Sequence, residues 1–226
     1  MKNTKFSHHC ISVILFFLIL SLSSCFTARK MNKNVADYYG NEIPKISKKE
    51  IPQISITTSL PVTGQELSTS IHETKMLPLI VYWSIDDRLV STLNPRIPFN
   101  NFHNTVVKFS AKELVGKLNG RRIELSLDQA PLTFAINDNV KVILLVIHWQ
   151  KVSVMPVMKD MVVSYKLYNG DQIEKTGSIT VKDNQTNFPL RFFQTIKSGT
   201  AEYLDFYTGH ISIMTQKLLD ELMKEL

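Results

Sequence analysis

The sequence predicts an α+β fold: a mainly antiparallel β-sheet packed against two helices. Three observations carry that expectation. Short runs rich in β-branched and aromatic residues recur between residues 54 and 181, separated by polar turn clusters. Asn169-Gly170 sits between two such runs, and both residues accept the positive φ of a tight hairpin. Two longer stretches, near 102–118 and 200–226, carry apolar residues at helical spacing. Hairpins outnumber crossovers in this order, which favours antiparallel strands with helices on one side.

In chain order, "ISITTSL" (54–60) alternates and reads as a strand. "LPLIVYWSI" (77–85) follows as a strand with Pro78 at its start, where the missing N–H is tolerated. Asp86-Asp87 then reads as a turn into "RLVSTL" (88–93), and "NPRIPFNN" as a loop. Val107, Ala111, Leu114, Val115 and Leu118 form one stripe of a helix that Asn100 or Asn101 caps and Asn119-Gly120 ends. "RRIELSL" and "PLTFAI" are strands. "VKVILLVIHWQKVSV" (140–154) is apolar on both faces in its middle and is expected as a central, covered strand. "MVVSYKLY" and "QIEKTGSITV" make the Asn-Gly hairpin. The last helix lines up Phe206, Tyr207, His210, Ile211, Met214, Leu218 and Leu222, with Glu202 and Asp205 near its start and Lys217 and Lys224 near its end, as the macrodipole favours.

The chain of 226 residues carries a formal charge of +6. From residue 51 onward, however, it holds 18 bases and 17 acids, so the excess belongs to the N-terminal arm. A nucleic-acid footprint belongs on the folded domain, and its absence there argues against nucleic acid as a partner. Both cysteines, Cys10 and Cys25, precede the domain. Residues 53–226, expected as one domain, thus lack a disulfide, a thiolate metal site and a cysteine nucleophile.

The N-terminus has the make-up of an export signal. "MKNTKFSHH" is basic, and "CISVILFFLILSL" is apolar for about a dozen residues, ~20 Å of helix against a ~30 Å bilayer core. It ends in Leu22-Ser23-Ser24-Cys25, which resembles the lipobox of bacterial lipoproteins. The resemblance implies a signal peptide at 1–24, cleavage between Ser24 and Cys25, and acyl chains on Cys25. Two or three such chains hold a protein stably, at ~0.8 kcal/mol per buried CH₂. The partner implied is a membrane, on its extracytoplasmic side. Phe26 stands where the enterobacterial retention rule has aspartate, which favours the outer membrane. Residues 25–52 are polar, carry Pro44 and Pro52, and are expected to be the lipidated cysteine and a flexible tether.

The chain carries few marks of catalytic chemistry. Nucleophile elbow, Ser-x-x-Lys, P-loop, dinucleotide and EF-hand patterns are all missing. His72-Glu73 opens a zincin-like "HETKM", but Met76 replaces the second histidine. Asp183 to Asn187 reads as a polar turn, and His148 as a core or edge residue. No metal or other cofactor is expected. Met155, Met158 and Met161 suit either an adaptable binding surface or core filling at a sheet end. Phe188, Phe192 and Phe193 in "FPLRFFQTI" either staple the last helix or form an aromatic rim for lipid or partner. The expectation is a non-enzymatic, lipid-anchored binding or accessory protein of the cell envelope, with a protein partner in an envelope complex. The alternatives are a hydrolase assembled from distant loops, with His72, His103 or Asp87, and a periplasmic lipid carrier.

Overall fold

Alternation in the sequence becomes two sheets, and one long helix holds them together. The computed structural model describes residues 27–61, 64–110, 113–144 and 147–226. Ser24, Cys25 and the rest of the expected signal segment lie outside the described residues. The elements are α1 (Ala28–Tyr38), β1 (Ile54–Thr58), β2 (Ser68–Pro78), β3 (Tyr82–Leu93), α2 (Arg96–Ser110), α3 (Glu113–Leu118), β4 (Arg122–Gln129), β5 (Thr133–Ile143), β6 (Ile147–Pro156), β7 (Met161–Asn169), β8 (Gln172–Val181), β9 (Phe188–Pro189) and α4 (Ile196–Glu225). The first sheet has the order β1-β4-β7-β8 and the second β2-β3-β5-β6-β9. All pairings are antiparallel except β1 with β4. The fold is α+β, as expected, with two sheets and four helices among the described residues in place of one sheet and two helices.

The first sheet has a buried and a solvated face, as antiparallel sheets commonly do. Ile123, Leu125 and Leu127 of β4 and Met161, Val163, Tyr165 and Leu167 of β7 point inward. On the outer face Asp128 accepts hydrogen bonds from Ser126, Ser59 and Ser164 at 2.8, 2.9 and 2.5 Å. Gly177 lies opposite Tyr165, and a Cβ there would meet the tyrosine ring at 2.6–2.7 Å. The bare glycine therefore makes room for the ring, whose hydroxyl donates to Glu225 at the end of α4.

α4 has 30 residues, about 45 Å, long enough to serve both sheets. Its first half meets the second sheet, where Tyr203 lies 4.7 Å from the Phe134 ring and the Tyr207 hydroxyl donates to Pro131 O at 2.7 Å. Its second half meets the first sheet through Thr215 at Met161 and Glu225 at Tyr165 and Lys175. α2 packs alongside, with Thr105 Oγ1 3.2 Å from Ser212 Oγ.

Several expectations are corrected. Residues 28–38, expected within a tether, form α1. Thr27 caps it by accepting from the Lys30 N–H, and Met31 and Val35 are fully buried in the shared core. Asn32 accepts from Ser68 and Ser70 of β2, and Asp37 pairs with Lys197 of α4 at 2.5 Å. A polar helix is held because its few apolar residues fall on one face and find a groove. The chain then stays on the domain, with Pro44 O and Lys45 O accepting from Asn100 and Asn104 of α2.

Asp86 and Asp87 are not a turn. β3 runs straight through them, and the reversal comes earlier, between Pro78 and Tyr82. The helix expected from Phe102 starts at Arg96, with Pro98 in its first turn, where a missing N–H costs nothing. Ala111 of the expected stripe lies outside the described residues; Leu114 and Leu118 are buried in α3. The run 140–154 is not one covered strand. It folds back at Leu144 into the β5–β6 hairpin, and much of that hairpin is exposed.

Candidate interaction surface

The register of the second sheet shows what projects beyond the helices. Leu89, Phe134, Ile136 and Val154 share one face and lie under α4. Further along that face come Thr74, Asp87 and Asp138, then Met76, Ile85 and Val140, then Pro78, Trp83, Val142 and His148. The opposite face carries Lys75, Asp86, Asn139 and Lys151 at the level of the acids. Beyond them stand Leu77, Ser84, Lys141 and Trp149, and finally Tyr82, Ile143 and Ile147. A belt of charge thus crosses both faces, and an apolar end extends past it.

That end is open to solvent on both sides. Met76, Leu77, Leu79, Val81, Leu144, Ile147 and Trp149 are exposed, and Ile80 at the β2–β3 tip is 98% exposed. Leu144 N–H donates to Val81 O at 2.7 Å, which joins the two hairpin tips. Residues 76–85 and 142–150 contain no Asp, Glu, Lys or Arg, and the chain's two tryptophans, Trp83 and Trp149, both lie there. Exposed apolar surface this continuous marks an interaction site.

The charge belt has its own electrostatics. Asp87 and Asp138 are register partners on the same face. His72 Nε2 lies 3.6 Å from Asp87 Oδ1, Thr74 donates to the same oxygen at 2.7 Å, and Gln150 donates to both oxygens of Asp138. Burial pushes the Asp138 carboxyl above its ordinary range; Gln150 and His148 oppose that, and the Asp87 charge adds to it.

The expected contact residues separate into different surroundings. Met161 is fully buried in the core, Met155 is half-buried with Asn137 donating to its sulfur, and Met158 is exposed in the β6–β7 loop. The three therefore form no single surface, because Met155 belongs to β6 of the second sheet, Met161 to β7 of the first, and Met158 to the loop between them. Phe188 packs beside Phe206 at 6.2 Å, and Leu190 packs on Gly199. Phe192 and Phe193 instead stand 88% and 91% exposed, 4.3 Å apart, with Phe193 at φ 67°. The segment is thus partly a staple and partly an aromatic rim.

Of the candidate acid–base residues, His72 and Asp87 meet on β2 and β3, while His103 lies on α2. His103 borders a cleft of about 350 Å³ with Ile51, Ile54, Val107 and Arg122, and burial lowers the pKa of its ring. His148 is exposed on β6, not in a core. The expected polar turn at Asp183 is exposed at Asn184, Thr186 and Asn187 but buries Asp183 and Gln185. The Asp183 side chain is buried and meets His210 Nε2 at 3.0 Å, while the N–H groups of Gln185 and Lys159 donate to its oxygens. This cluster ties the segment after β8 to α4 and the β6–β7 loop. Among the described residues no three His, Cys, Asp or Glu side chains gather for a metal, and no helix is long and apolar enough to cross a membrane. No family model, curated protein or solved structure matches the chain.

Proposed function

We propose that this protein is a lipid-anchored, extracytoplasmic binding or accessory protein of the bacterial cell envelope. The observation that carries the binding role is the exposed apolar end of the second sheet, which no other part of the described chain covers. Attachment rests on the N-terminal pattern: a basic start, a short apolar run and Leu22-Ser23-Ser24-Cys25. An anchor and an apolar docking surface together suit a protein that works by holding something at a membrane.

Cys25→Ser tests the anchor. The substitution is expected to abolish palmitate incorporation and to leave the residue 24–25 bond uncut. Undiminished labelling of the variant would overturn the reading.

A further inference from the structure

We propose that the apolar end of the second sheet, with the Phe192–Phe193 turn beside it, docks on the headgroup region of the same bilayer that holds the acyl chains of Cys25. This rests on the lipid-anchor reading and adds an orientation to it. The first support is the length of chain left over. Helix α1 is capped at Thr27, so only Phe26 lies between cap and anchor. Two Cα–Cα steps span at most ~7.6 Å. With Met31 and Val35 in the core and Asp37 on Lys197, α1 cannot pay out as a linker. The domain is held against its membrane, not suspended from it.

The second support is where the leash leaves the domain. Met31 sits 3.9 Å from Thr200 and the Tyr38 hydroxyl donates to Asp205 at 2.6 Å, so α1 runs beside α4 in the same direction and its Thr27 end lies toward the start of α4. α4 runs from Tyr203 at Phe134 to Tyr207 at Pro131, whereas β5 runs the other way, toward the hairpin tips. The start of α4 therefore faces the projecting end. β9 points there too: it is antiparallel to β6, and Leu190 N–H donates to Val152 O at 3.1 Å just before the Phe192–Phe193 turn. Anchor, aromatic turn and hairpin tips belong to one side of the molecule.

The third support is chemistry. Tryptophan and tyrosine favour the membrane–water interface, and Trp83, Trp149 and Tyr82 lie in the projecting end. Lys141 can run its stem along apolar surface and keep its ammonium in water. From Ile85 to Tyr82 the sheet extends ~10 Å at 3.3 Å per residue, about a third of a ~30 Å hydrocarbon core. Deeper entry would strip water from the open outer edges of β2 and β6, whose backbone groups then have no partner. The belt of Lys75, Asp86, Asp87, Arg88, Asp138 and Lys151 sets the same limit. A partner strand is disfavoured at those edges, because Glu73, Lys75 and Pro78 on β2 and Lys151 on β6 are features that block edge pairing.

The two tryptophans are built-in probes. Full-length acylated protein, reconstituted into phosphatidylcholine vesicles with brominated acyl chains, is expected to show blue-shifted emission that loses most of its intensity relative to unbrominated vesicles. Trp83→Phe and Trp149→Phe are each expected to keep part of that quenching. Ile80→Asp combined with Leu144→Asp, both at exposed tips, is expected to abolish it without changing circular dichroism or flotation with the vesicles. Water-like, unquenched emission from protein whose N-terminal peptide carries acyl chains would overturn the proposal and assign the surface to a protein partner. An unacylated N-terminal peptide would instead sink the anchor reading. Quenching in that sample would still support the docking surface, and its absence would overturn both.

Discussion

Asp87 and Asp138 face each other across β3 and β5, with His72, His148, Gln150 and Thr74 to temper them. Like charges directly opposite in a sheet are destabilising. The raised pKa of Asp138 means that the folded protein keeps this proton to a higher pH than the unfolded chain does. Its contribution is therefore lost as pH rises from the ordinary carboxylate range through the raised folded value, and above that the pair is a net cost. Asp138→Asn is expected to raise stability at neutral pH by about 0.2–1 kcal/mol, discounted toward the lower end by solvent screening. The gain should vanish in acid, where both states are protonated; urea unfolding at two pH values measures it. Nothing local marks this pair, since the partners are 51 residues apart and meet only through register. The expectation that Asp86-Asp87 turns the chain failed for the same reason: turn propensity lost to a strand paired on both sides.

Helix α1 is the element that most changes the picture. Its signals were present in the sequence. Thr27 precedes the helix, Ala28, Met31, Val35 and Tyr38 fall at i, i+3, i+7 and i+10, and Gly40 follows with φ 65°. Two fully buried residues in a basic, polar stretch make a weak stripe, and an isolated helix of 11 residues is marginal in water. Packing on α4 and β2 supplies the rest. Met31→Ala is expected to cost about 2–4 kcal/mol, as cavity formation in a core does, and to lower the urea midpoint of the whole domain. An unchanged midpoint would mean that α1 is detachable. The β5–β6 hairpin teaches the converse lesson. Its apolar run fitted a central strand, yet Leu144 adopts φ 51° and the chain folds back outside the helix layer.

At the scale of the whole molecule, charge and the proposed anchor are separate terms. The region from residue 51 onward is nearly neutral, and the basic residues Arg29, Lys30 and Lys33 lie on α1. Electrostatic attraction to a membrane is screened within ~8–10 Å in physiological salt, whereas two or three acyl chains are indifferent to it. Membrane fractions are accordingly expected to retain the protein through high-salt and alkaline carbonate washes and to release it in detergent. Release by salt alone would make the attachment ionic.

Element type was legible in the sequence: β1, β4, the β7–β8 hairpin and α4 follow from period and turn chemistry, which act over a few residues. So was the α+β class. What tertiary structure decided is which apolar segments are covered. The same alternation or run appears in a core strand and in a projecting one, and only the reach of α1 and α4 over the second sheet separates them. Phe188 and Phe192 lie four residues apart in one motif, yet one packs on α4 and the other meets water, because the chain turns between them. Burial is a property of the assembled layers, and no window of neighbouring residues contains it.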